Sequence, residues 1–160
     1  LARLWLIAAW LCGSVVLAHA AATQPANPTG RWYTADHSAV VQIAPCGKDL
    51  CGQIVGLADV NQTGEMPTDW QGQPQCGLTI LQTQPQTAPD GSVIWAGTVL
   101  DPRNGNVYQA TLALDASRHL QLHGYIGLPI FGQTQTWQPY PGRTLAGCKL
   151  AANVQGQGKG

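Results

Sequence analysis

Short runs of alternating apolar and polar residues, separated by turn residues, recur from residue 30 to residue 138. A period of two marks a strand with one buried face, and no segment carries the i, i+3, i+4 stripe of an amphipathic helix. Eight runs are readable: 30–34, 38–45, 51–57, 77–83, 92–100, 106–114, 118–126 and 130–138. The breaks between them have a mechanism. Pro89-Asp90-Gly91, Asp101-Pro102-Arg103-Asn104-Gly105 and Asp115-Ala116-Ser117 combine a preset φ, side chains that bond nearby backbone, and glycines that accept positive φ. Eight strands joined mostly by short turns predict an all-β fold, an eight-stranded antiparallel up-and-down barrel whose closure removes its exposed edges. A two-sheet sandwich is the alternative. A barrel of eight strands is filled by side chains or holds one small ligand.

The alternation also proposes which side chains face inward. Ala39, Val41 and Ile43 share a face, as do Tyr108, Ala110, Leu112 and Leu114, and Leu120, Leu122 and Ile126. In 92–100 both faces are apolar, so the side taken by Trp95 stays open. In 130–138 either Phe131, Gln133, Gln135 and Trp137 face inward, or Thr134 and Thr136 do. One connection, 58–76, is too long for a hairpin. It is expected over one mouth of the barrel, with Trp70 as a lid.

The amino terminus changes the picture of where the chain works. Arg3, the apolar run 4–17 and Ala18-His19-Ala20 have the layout of a secretory signal peptide over residues 1–20. The run is shorter than the roughly 20 residues of a membrane span. Leu11, before Cys12, is too large for a lipid-attachment site, so Cys12 is expected to leave with the signal and no membrane span to remain. Residues 21–29 read as a linker, 30–148 as the barrel domain and 149–160 as a flexible Gln- and Gly-rich tail. A periplasmic or secreted location follows from this reading.

Four cysteines then remain: Cys46, Cys51, Cys76 and Cys148. An even number in an exported chain reads as two disulfides. Cys46 and Cys51 flank a four-residue turn, which leaves Cys76 to pair with Cys148; three connectivities are formally open. Without Arg3 the chain has seven Lys and Arg against eight Asp and Glu, with no run of either sign. Nucleic acid, which demands a basic stripe, is excluded as a partner.

Several segments together resemble a family of small exported bacterial proteins known as the domain of unknown function 2147 family. Gly30-Arg31-Trp32-Tyr33 matches the Gly-x-Trp signature of the first strand in lipocalin-type barrels. It is followed in order by Val41-Gln42-Ile43, Cys46-Gly47, Leu50-Cys51-Gly52, Cys76-Gly77-Leu78, Trp95-Ala96-Gly97 and Leu100-Asp101-Pro102. Leu122-His123-Gly124-Tyr125-Ile126-Gly127, Phe131-Gly132 and Thr136-Trp137 complete the set. The resemblance implies a lipocalin-like barrel and export, and brings no established activity. The chain departs from the pattern after Trp137, where an arginine is expected and Gln138-Pro139 stands, with Arg143 as a possible substitute.

Catalytic and metal chemistry find little footing. His119 and His123, four apart on a strand, sit about 13 Å from one another and cannot share an ion; both are expected to face solvent. Asp59-Val60-Asn61-Gln62-Thr63-Gly64-Glu65 echoes the start of a calcium loop, but its twelfth position is Trp70, so it reads as a polar turn. Asp36-His37-Ser38 are sequence neighbours on opposite faces, and no serine sits in a nucleophile elbow. No catalytic residue, metal or cofactor is assigned. The expectation is a barrel that binds a small apolar ligand or lipid, with Trp32, Trp95, Tyr108, Phe131, Gln133, Gln135 and Trp137 as candidate wall residues. The alternative is an envelope protein- or glycan-interaction module with a filled barrel.

Overall fold

The computed structural model describes residues 26–58 and 64–150. Eight strands run in chain order: β1 (Gly30–Tyr33), β2 (Ala39–Cys46), β3 (Asp49–Leu57), β4 (Thr79–Thr87), β5 (Val93–Leu100), β6 (Val107–Leu114), β7 (Leu120–Tyr125) and β8 (Gln133–Pro139). Each pairs antiparallel with the next, and β8 pairs with β1 through Trp32–Pro139 and Tyr33–Gln138, so the sheet is a closed barrel. The up-and-down order puts alternate connections at the same end. The β1–β2, β3–β4, β5–β6 and β7–β8 connections crown one mouth, and the remaining turns lie at the other.

The two ends are built differently. Toward the end of the β2–β3 and β6–β7 turns, Ile43, Leu50, Leu112 and Leu120 are fully or almost fully buried in one apolar cluster. Residues expected to be a linker form the floor. Pro28 is fully buried, its carbonyl accepts the Trp32 indole N–H at 2.8 Å, and the Ala26 carbonyl accepts that of Trp95 at 3.3 Å. The Trp32 indole is therefore satisfied without the arginine absent after Trp137. Arg143 is exposed and contributes its carbonyl, which accepts the Tyr140 hydroxyl proton at 3.1 Å.

A strap outside the barrel holds this architecture together. After β8 the chain turns back, and Lys149 bridges in parallel to Leu57 while Thr144 bridges to Leu150. Leu150 and Tyr140 bury Val40 on the outer face of β2. β3 bulges at Val55, which lets Ile54 and Leu57 both face the core while Gly56 faces out. A Cβ at Gly56 would collide with the Leu150 side chain, so glycine is required there by close approach. Ordered packing thus extends to Leu150, two residues into the expected tail; residues 151–160, like 1–25, lie outside the described residues.

Disulfides join Cys46 to Cys51 and Cys76 to Cys148, with Cα–Cα distances of 5.7 and 5.6 Å. The first pins the β2–β3 hairpin. The second ties the strap to the long β3–β4 connection.

Strand limits differ from the sequence pattern by one to four residues, and three of the differences have a plain local reason. β4 continues past Thr83, where its pairing with β3 ends at Leu50, so Pro85 removes an N–H that β3 does not need. Arg118 adopts φ 62° and belongs to the β6–β7 turn. Pro129 starts a 3-10 turn over Pro129–Phe131, which takes Ile130 and Phe131 out of β8.

Candidate functional site

Above the filled half the barrel opens into a cavity of about 600 Å³. Its apolar wall is built from inward positions of five strands: Ala39, Ile54, Ile80, Val99 and Leu122, with Trp137 at its base. The space exists because small residues face inward at this level. Gly124 lines the cavity, and a Cβ there would make ordinary contacts, with Val99 and Tyr108 side-chain atoms at 3.8 and 4.0 Å and the Gln109 carbonyl oxygen at 3.9 Å.

The register of β8 decides which of its faces looks in. Gln133, Gln135 and Trp137 line the cavity, while Thr134 and Thr136 point outward and bond His123 and Gln121 on the outer face of β7. The Trp137 indole donates to Gln135 Oε1 at 2.9 Å, which fixes that amide at the cavity wall. Tyr108 and Phe131 also line the cavity, Phe131 at its rim from the 3-10 turn. Trp32 and Trp95 do not. Trp95 packs inward as part of the core and bonds the floor segment, so both indoles belong to the closed end rather than to the wall.

Trp70 does not line the cavity either. Its amide donates to the Pro102 carbonyl at 3.0 Å and its ring covers Gly105, where a Cβ would lie 2.8 Å from the indole. It packs on the β5–β6 turn. The long connection instead lends the cavity Gln75, buried and held by its amide to the Thr68 carbonyl at 2.8 Å. Of the calcium-loop-like segment, 59–63 lies outside the described residues.

The rim is polar. Burial pushes the Asp36 carboxyl up, but the hydroxyls of Ser38 and Thr34, each donating at 2.8 Å, and the Ser38 amide more than reverse this and hold it below the usual range. Arg103 donates to both oxygens of Asp101, at 3.0 and 2.8 Å, and lowers that carboxyl too. The three charges lining the cavity therefore sum to one negative. Pattern reading missed Asp36, Gln75, Asp101 and Arg103 because each looks like turn chemistry. The parity of an up-and-down barrel would have found them, since their connections share one end.

Both histidines point outward. His119 is half-buried with Nδ1 3.6 Å from Asp115. His123 is not free to solvent: the 3-10 turn folds over it, and its ring nitrogens lie 2.9 Å from the Thr134 hydroxyl and the Pro129 carbonyl. Among the described residues no group of three or more His, Cys, Asp or Glu side chains could hold a metal ion.

Residues 30–139, which span all eight strands, match the family described as "Uncharacterized protein conserved in bacteria (DUF2147)". The chain belongs to this family. No curated protein matches it. Among solved structures this DUF2147 chain is similar to protein HP1028 from the human pathogen Helicobacter pylori, described as belonging to the lipocalin family. That match has a TM-score of 0.56 and 13% sequence identity, covering 71% of this chain and 83% of the other. The likeness is one of fold: a lipocalin-like barrel. The two disulfides are compatible with a DUF2147 protein that folds outside the cytoplasm. No helix among the described residues is long and apolar enough to cross a membrane.

Proposed function

We propose that this DUF2147 protein is an exported carrier, periplasmic or secreted, which takes one small, largely apolar molecule into the open half of its barrel. The observation that carries this reading is the cavity of about 600 Å³, apolar at depth and polar at the rim. Its size falls within the roughly 300–1,000 Å³ of small-molecule sites, and its few polar groups are placed as orienting contacts are in such sites. Burial of apolar ligand surface would supply roughly 25 cal/mol per Å². Gln133 and Gln135 offer amides to a polar end, and the net negative rim disfavours an anionic one. The polar end of the ligand is therefore neutral or cationic. The alternative, an interaction module with a filled barrel, is disfavoured by the same space.

Native mass spectrometry of the protein purified from its own source, followed by organic extraction, tests the reading. A bound apolar molecule without a carboxylate or phosphate is expected. An apo mass that stays unchanged with long-chain neutral lipids and alcohols added would overturn it.

A further inference from the structure

The connection between β7 and β8 carries a concentration of exposed apolar surface. Ile126, Leu128, Ile130 and Phe131 are 62–80% exposed, whereas the other large exposed apolar side chains among the described residues, Trp70, Val107 and Leu145, stand apart in sequence. The segment is not a loose loop. Pro129 opens its 3-10 turn, and the amides of Phe131 and Gly132 are bonded back to Leu128 and Pro129. Because the Pro129 carbonyl only accepts, His123 Nε2 carries a proton and donates to it, and a Cβ at Gly132 would lie 2.6 Å from that ring. The outer wall of β7 thus holds the turn with its apolar side chains directed to solvent.

We infer that this turn is a lipid-docking element that seats the open mouth of the barrel on a bilayer surface. Three observations favour a bilayer over a protein. From residue 119 to residue 142 the chain has no Lys, Arg, Asp or Glu, and hydrocarbon penalises charge heavily. Four side chains are far fewer than the roughly 20–30 residues per side of a stable protein interface. Ile126 and Phe131 also line the cavity, so one apolar surface runs from the lumen to the tip of the turn. A ligand apolar enough for the cavity partitions into lipid, and this geometry lets it pass without crossing water. That last step rests on the carrier reading; the docking itself does not.

The test is co-flotation with phosphatidylcholine vesicles, using the chain recovered from a producing bacterium with its amino terminus read by mass. The unsubstituted chain floats with the vesicles, and Leu128→Ser combined with Ile130→Ser weakens partitioning at least tenfold. Neither residue lines the cavity, so uptake of a neutral naphthylamine dye in solution is unchanged in that variant. Binding depends little on salt, since the docking turn itself carries no charge. In Ile130→Trp, the added emission is quenched by lipid brominated on its acyl chains, which places the contact at this turn. Failure to float, flotation without that quenching, or a concentration-dependent dimer lost in the double variant would each overturn the docking. Loss of dye uptake by the unsubstituted chain with flotation intact would count against the carrier reading alone.

Discussion

The two ends of this barrel solve opposite problems with the same alternation. At the closed end Ile43, Leu50, Leu112 and Leu120 fill the lumen, the amino-terminal segment lies across the opening, and the Trp32 and Trp95 indoles find carbonyl partners there. At the open end Gly124 and Ala39 replace large residues, and glutamines and carboxylates replace leucines. A strand pattern of period two does not distinguish these halves, because both alternate. What separates them on β7 is side-chain volume along the inward row, Leu120, Leu122, Gly124. The closed end holds the fold and the open end is free to be a site.

That division can be broken most severely at the floor. Trp32→Ala removes a buried indole and its bond to Pro28, and about 3–5 kcal/mol of unfolding free energy in urea should go with it. Replacing Cys76 and Cys148 together with serine opens a loop of 72 residues, and the chain-entropy relation puts the loss at about 4 kcal/mol. The five-residue Cys46–Cys51 bridge should matter less, and equal losses on removing each in turn would contradict the role of the strap.

Thr83 sharpens the comparison in the other direction. It is buried in the filled half, and its hydroxyl has no partner among the described residues. Thr83→Val should therefore stabilise the protein by about 1 kcal/mol, read from its denaturant midpoint. A loss would mean that the hydroxyl is satisfied.

Acid probes the rim. Asp36 and Asp101 are held below the ordinary carboxyl range, so the stability they lend is complete above the unfolded value of about 3.9 and is lost as pH falls through the lower folded values. Melting temperature should be flat from neutral to about pH 5 and drop below pH 4, the drop being shallower in Asp36→Asn. A steep decline between pH 7 and 5 would point to other groups. The smallest effect is expected for Arg103→Gln. Its pair with Asp101 is exposed on the arginine side, so less than about 1 kcal/mol is at stake.

The sequence pattern carried the barrel, the number and order of its strands and the pairing of Cys46 with Cys51, because each rests on local alternation and turn chemistry. It put Tyr108 on an inward row for the same reason, and left open which face of β8 looks in, since both faces of that run mix polar and apolar residues. It misplaced Trp32, Trp95 and Trp70 because residue type says nothing of height along a strand or of which surface a loop residue covers. Pro28 and Leu150 were illegible as core residues. Their burial comes from segments folding back on the barrel, a tertiary fact with no periodicity to announce it.

The division of labour is tested most directly by Gly124→Leu, which fills the open half where a Cβ meets only ordinary contacts. Titration with a neutral naphthylamine dye, alongside thermal unfolding of the same sample, reads both halves at once. The account predicts that dye binding is lost while the melting temperature stays within a few degrees of the unsubstituted chain. Undiminished binding with a leucine in the cavity would contradict it.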